Sequence, residues 1–546
     1  MFRGTVQKGA LRSALIVAGL AALWPAGADD GPNPVGEVSL AFQAANGEVA
    51  YQAPVCVGIR GNGPRLWAHY SSIARIVEAF GPVGGAAGGS SGSISVFLAE
   101  SINANPLLRN CANGPCTQGE FAARMALLYK SLEGLQDAGL IADVLAVIDL
   151  VAAIQAGDIQ GLLDGDDPLA GVDALIDILS DPDIQSIINP ELLSLLLQSP
   201  DPVFHANDII NGLAASLSFQ VVDALPLVRP GPINFQAFAN LVGRLGSFYA
   251  GYGPFDEVQT QAFLSSCALP GRGLDWPNVA PLPAGDTTCG ALFASLFDTY
   301  RDAFDPAADA NRIDDPIGQY LPSLVTTSVL EGDAIDAFAA AKASYFAAQP
   351  VSLDVDWADV RFGYWGAEAD LDTVAANFEG VDDDPKVARF SRLGASPWRD
   401  IISVSPAEPG LSRALELPDG RVSAGGWSDP VPTQVLNALE CERVILVNRR
   451  DGIGGFTTGV ATQLGATESD LADQYDLADP GSGFSQSLSE ADGVWCTDWD
   501  APDTFDIPGL FAQGWNAPLE TADRKLLSFP NAGTNLGIVG CTPGAN

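Results

Sequence analysis

Apolar and polar positions follow two distinct textures along this chain. Val55 to Gly58 is a short apolar run that ends in a glycine-rich turn, and helical spacing follows from Trp67 to Phe80. Gly81 to Gly92 consists of small residues and glycine, and Ser93 to Glu100 returns to a helical pattern. From about 101 to 345 apolar residues recur at helical intervals, as in Leu140-Ile141, Val144-Leu145 and Ile148, or Leu192, Leu195 and Leu196. Asp181-Pro182, Asn189-Pro190 and Asp201-Pro202 interrupt this region, because proline lacks an N–H and biases its predecessor out of the helix. Its stripes read as core-facing. Strand character returns at Leu353–Val360, at Ile401–Val404 and at Arg443–Val447, the last a β-branched run of the kind buried parallel strands carry. Strands alternating with helices predict an α/β sheet that accommodates the helical stretch as an insertion. Past about 475 the chain is polar and rich in Gly, Pro and Asp. No repeat period is evident.

The first segment has a different logic. Arg3, Lys8 and Arg12 precede an apolar run from Ala14 to Trp24, then Pro25-Ala26-Gly27-Ala28 and Asp29-Asp30. A basic start, a short apolar stretch and an A-x-A site predict a secretory signal peptide cleaved after Ala28. The protein is therefore expected to be exported, to the periplasm or the extracellular medium. No integral membrane span is expected elsewhere, since Asp143 and Asp149 interrupt the most apolar candidate, Leu140 to Ile154. In an oxidising compartment the eight cysteines should form disulfides. Cys111–Cys116 and Cys267–Cys289 are the local pairs, and Cys496–Cys541 would staple the tail. CxxC pairs are missing, so no zinc site is expected.

Charge narrows the function. With 27 Lys plus Arg against 67 Asp plus Glu, the net charge is −40, which excludes most nucleic-acid binding and disfavours long residence on anionic membranes. Lysine occurs only at positions 8, 130, 342, 386 and 525, a composition that suits a saline habitat. The only histidines, His69 and His205, leave no multi-His metal site and few options for a Ser-His-Asp triad; both read as packing or polar surface residues. The acidic groups Asp382-Asp383-Asp384 and Asp498/Asp500/Asp503 lack a calcium-loop pattern and read as solvated loops.

Two glycine motifs carry the chemistry. Gly88-Gly89-Ser90-Ser91-Gly92 fits G-x-S-x-G, in which glycines permit a sharp strand-to-helix turn that presents the serine at a helix N-terminus. Gly61-Asn62-Gly63-Pro64-Arg65 lies between the Val55 strand and the Trp67 helix and offers backbone N–H groups to an oxyanion. It is not a dinucleotide fingerprint, since Leu66 occupies the third glycine position.

A strand, G-x-G-x-R, a helix and then G-x-S-x-G resembles the patatin-like phospholipase family. A third signature of that family is met by Pro409-Gly410-Leu411 followed by Ala424-Gly425-Gly426-Trp427-Ser428-Asp429-Pro430-Val431-Pro432 and the Val444–Val447 strand. The resemblance covers roughly 54–100 and 350–450. It implies a three-layer α/β/α core with a mainly parallel sheet, and a Ser-Asp dyad that hydrolyses carboxylic esters of glycerolipids without a cofactor or a metal. The family's aspartate, however, falls on Ala424, and Pro64 cannot donate an N–H. Asp429 is the expected substitute base, and Asp419 of the Asp419-Gly420 turn is the alternative.

The expected organisation is a signal peptide (1–28), a leader (29–53), a first core part (54–100), a helical insertion acting as lid or acyl-chain groove (101–345), a second core part (346–475) and a disulfide-linked tail (476–546). The expected function is an exported serine lipid acyl hydrolase: Ser90 is the nucleophile, Asp429 the base, and Gly61, Asn62 and Gly63 hold the oxyanion. Its partner is a lipid ester substrate, neutral or zwitterionic, met at a membrane or micelle during transient contact. The alternative is a catalytically inactive patatin-like fold that binds lipid or a protein partner.

Overall fold

The computed structural model of the chain describes residues 41–43, 49–51, 55–61, 63–111, 114–132, 168–179, 188–218, 225–253, 257–268, 289–305, 310–381, 384–449, 455–497, 507–521 and 532–533. The expected signal peptide, Asn62, Leu140 to Ile154, Asp498, Asp500, Asp503 and Cys541 lie outside these. Among the described residues, 11 strands form the main sheet. In chain order they are β1 Val55–Ile59, β2 Val83–Gly89, β3 Ser323–Leu330, β4 Val360–Trp365, β5 Phe390–Gly394, β6 Leu415–Glu416, β7 Val422–Ser423, β8 Val444–Arg449, β9 Gly493–Thr497, β10 Leu519–Thr521 and β11 Ala532–Gly533. Across the sheet the order is β6-β7-β3-β2-β1-β8-β9-β10-β11, with β4 on β3 and β5 on β4. The central strands β3, β2, β1, β8 and β9 all run parallel.

Why the sheet is covered on both sides follows from the period of two along each strand. Val55, Val57 and Ile59 of β1 join one apolar cluster with Ile73 and Val77 of helix α1 (Trp67–Phe80) and Phe97 of helix α2 (Ser91–Ala104). Cys56 points the other way, into a cluster with Leu371 and Val435 on the far side. Ala86 and Ala87 of β2 divide in the same manner, as do Val325 and Leu324 of β3. Helices therefore lie on both faces, the three-layer α/β/α arrangement with a mostly parallel sheet that buried β-branched strands predict.

Four sequence expectations change. Strand β3 is fully buried in the sheet yet lies inside 101–345, so that stretch is not one uninterrupted helical insertion. Ile401–Val404 is part of a helix, Trp398–Val404. Trp398, Ile401 and Ile402 sit at helical spacing and are all fully buried, with the Trp398 ring 5.2 Å from that of Phe97; tertiary packing overrides the β propensity of the isoleucines. Leu353–Val360 is strand only at its last residue, where β4 begins. The region past 475 also contributes to the core: β9 pairs with β8, and helix Ile507–Asn516 packs so closely on α1 that a Cβ on Gly514 would lie 2.2 Å from the Ala68 carbonyl.

The local disulfides Cys111–Cys116 and Cys267–Cys289 are present, and a third, Cys56–Cys441, was not foreseen. It ties β1 to the turn before β8 across 385 residues. The three disulfides among the described residues fit an oxidising, exported environment. Replacing both Cys56 and Cys441 by alanine is expected to reduce stability by about 2–5 kcal/mol, measured as a lower thermal midpoint under non-reducing conditions. Among the described residues no helix is long and apolar enough to cross a membrane.

Candidate active site

The site begins where β2 meets α2. Every residue of β2 is buried, and the chain turns at Ser90 with φ 54° and ψ −129°. Among the described residues only Ala348 and Glu440 share a positive φ outside glycine. A non-glycine residue held there stores strain that the surroundings must enforce. Part of that enforcement is local: the Ser90 carbonyl accepts from Ser93 N at 3.0 Å and from Ser93 Oγ at 2.6 Å. Part is steric, because a Cβ on Gly92 would lie 2.6 Å from the Ile59 carbonyl, so only glycine lets α2 start this close to β1. The expected strand-to-helix elbow is thus formed, with the serine hydroxyl at the helix N-terminus.

The glycine turn after β1 forms one wall. A Cβ built on Gly61 would lie 3.0 Å from Ser90 Cβ and 3.6 Å from Ser90 Oγ, so the Gly61 backbone lies directly against Ser90. Gly63 opens a short 3-10 turn, Gly63–Leu66, with φ 52°. Asn62, the middle member of the expected oxyanion turn, lies outside the described residues.

The opposite wall comes from the segment resembling the third family signature, and the sheet brings it there. β4 occupies one edge of β3 along Val325–Leu330. On the other edge β2 pairs with Ser323–Thr326 and β7 with Val329–Leu330, so β7 runs antiparallel to β3 and meets the end of β2 head-on. Ala424 and Gly425 continue the pairing through bonds with Ser328 of 3.0 and 2.7 Å. Gly426 then reaches the elbow, where a Cβ would run into the Ser90 amide nitrogen and lie 2.7 Å from Ser405 Oγ.

The position of the acid is the main departure from the sequence reading. Ala424 is fully buried and offers no carboxyl. Asp429, the expected base, is buried in an ion pair with Lys386 at 2.5 Å and accepts a short hydrogen bond from the Tyr364 hydroxyl. Lys386 Nζ also donates to Val431 O at 2.5 Å and Ser487 Oγ at 3.0 Å. Asp419 sits in the β6–β7 turn, paired with Arg421 at 2.5 Å, as a hairpin residue. The carboxyl whose charge state the Ser90 side chain influences is that of Glu408. Burial pushes this carboxyl up from 4.5 to about 8, and the nearby Ser90 hydroxyl opposes the rise only in part. Glu408 Oε2 is buried without a hydrogen-bond partner among the described residues. It lies 3.1 Å from where a Gly425 Cβ would be, so the acid sits beside the position next to Ala424.

Sequence reasoning passed over Glu408, although it directly precedes the Pro409-Gly410-Leu411 motif. The available signal was an acidic residue adjoining a family motif whose own acid is missing. Position along the chain cannot rank Glu408 above Asp419 or Asp429, because the three acids lie close together in sequence.

The remaining candidates are structural. His69 is fully buried on α1 with Nδ1 3.1 Å from Ser95 Oγ, and burial pushes its pKa down to about 3. His205 is buried against the rings of Phe204 and Tyr345, at 5.2 and 4.7 Å. Asp384, expected in a solvated loop, is instead buried and accepts from Lys386 N at 2.8 Å and from the Gln434 side chain. Asp382 and Asp383 lie outside the described residues. Among the described residues no group of three or more His, Cys, Asp or Glu is placed to hold a metal. Comparisons with protein-family models, with curated proteins and with solved structures find no match for this chain.

Proposed function

We propose that the protein is an exported serine hydrolase of carboxylic esters, with Ser90 as nucleophile and Glu408 as its base. The reading rests on one observation: a buried carboxyl interacts with the side chain of a serine held in the strained strand-to-helix conformation. In the ionised state Glu408 takes the proton from Ser90 Oγ as the oxygen adds to the ester carbonyl. Backbone N–H groups of the turn around Gly61 and Gly63, with the N-terminus of α2, hold the oxyanion. Collapse expels the alcohol, which leaves with the proton from Glu408. Water then adds to the acyl-enzyme, gives a proton to Glu408, and the serine departs with that proton as the acid is released. Histidine takes no part, in keeping with the burial of both.

The resemblance of the glycine motifs to patatin-like phospholipases favours glycerolipid esters, and the net charge of −40 favours neutral or zwitterionic lipids over anionic ones. Assigning the base to Glu408 removes the main argument for an inactive binding fold, which was the missing acid at Ala424. Ser90→Ala is expected to abolish both covalent labelling by a fluorophosphonate probe and hydrolysis of p-nitrophenyl esters. Equal labelling of the wild type and the variant would end the nucleophile assignment.

A further inference from the structure

From the geometry behind the elbow we infer that Ser405 is a positioning residue for this reaction, and that its hydroxyl keeps the base-bearing segment in register with the nucleophile. The inference rests on the reading of Ser90 and Glu408 as nucleophile and base. Ser405 is fully buried at the end of helix Trp398–Val404, and Glu408 follows it after Pro406 and Ala407. Its Oγ accepts the Ser90 N–H at 3.1 Å and donates to the Thr326 carbonyl at 2.9 Å. Its own carbonyl accepts the Gly426 N–H at 2.8 Å, and its N–H is taken by Ile401 O at 2.8 Å.

One residue thereby joins the elbow, the middle of β3 and the Ala424–Gly426 wall, and leads directly into the segment that carries Glu408. A proton transfer needs donor and acceptor held within hydrogen-bond reach. Both partners here hang from backbone that Ser405 fastens together: Ser90 through its own N–H, Glu408 through a short covalent link. Pro406 shortens that link's freedom, since its ring fixes φ. Without the hydroxyl the buried Ser90 N–H loses its acceptor.

The test is a double-mutant cycle on the full chain, read as the rate of fluorophosphonate labelling and as kcat and KM for a p-nitrophenyl ester. Ser405→Ala is expected to lower kcat and labelling by a common factor of about 10–100, with KM moved less than about threefold. Ser405→Cys, which keeps the side-chain size but accepts a hydrogen bond poorly, should fall between the wild type and Ser405→Ala. In a Glu408→Gln background Ser405→Ala should cost less than about threefold, because a register that serves to place the base has nothing left to place. Equal losses in both backgrounds, or a loss confined to KM, would overturn the inference and leave the serine hydrolase standing. Absence of labelling in the wild type would remove the hydrolase reading and this inference together.

Discussion

Glu408→Gln is expected to lower ester hydrolysis about 10²–10⁴-fold, the range that a general base contributes, while making the protein more stable in alkali. The two effects have one cause. Burial holds the Glu408 carboxyl protonated until about pH 8, against an ordinary 4.5. Below pH 4.5 the folded and unfolded chains both carry the proton, and Glu408 adds no pH dependence. Between 4.5 and about 8 the unfolded chain loses the proton while the folded chain keeps it, so stability falls as pH rises. Above about 8 the penalty is complete, on the order of 5 kcal/mol. Glutamine keeps the shape and stays neutral, so the variant should match the wild type near pH 4 and unfold at a higher temperature at pH 9. Activity should follow the opposite trend. The base must be ionised to act, so wild-type kcat/KM should climb with pH to a limb near 8 that vanishes in the variant. A wild-type rate flat from pH 5 to 9 would count against Glu408 as the base.

The second large effect concerns Asp429, which is close to the site in sequence and bound up elsewhere in space. Its ion pair with Lys386 is buried on both sides, at 2 and 3 % side-chain exposure. Removing one member of such a pair leaves an uncompensated buried charge, so Lys386→Met should destabilise the protein by about 3–5 kcal/mol. Replacing both residues by apolar side chains should recover most of that loss, since the desolvation of both ions is then avoided. Asp429→Asn should likewise lower the thermal midpoint, in contrast to Glu408→Gln. Its loss of activity should track loss of folded protein, whereas a base would lose activity at full folding. Thermal unfolding and fluorophosphonate labelling of the same preparations separate these cases.

Local elements were largely legible in the sequence, and their failures have specific causes. Trp67–Phe80 and the glycine elbow at Ser90 stand where spacing and composition place them, because a helical stripe and a glycine-bracketed serine are short-range signals. Strand β3 was hidden within a helical texture, since Ser323-Leu324-Val325-Thr326-Thr327-Ser328-Val329-Leu330 is a short run in a long helical stretch. The Cys56–Cys441 bridge was equally invisible, because 385 residues separate two positions that adjacent parallel strands bring together.

The acid beside Ser90 marks the boundary most sharply. Residue order alone determined the elbow serine, the glycine turn beside it, the scarcity of histidine and the acidic balance, all properties of a residue and its near neighbours. Which acid meets Ser90 depended on β7 meeting β2 end to end along β3, and on Ser405 fastening the Glu408 segment behind the elbow. Asp429 and Asp419 are engaged by Lys386 and Arg421, and Glu408 is left against the serine. Such choices are made by long-range pairing and burial, so only the tertiary structure could decide among three carboxyls that the sequence places within a short span.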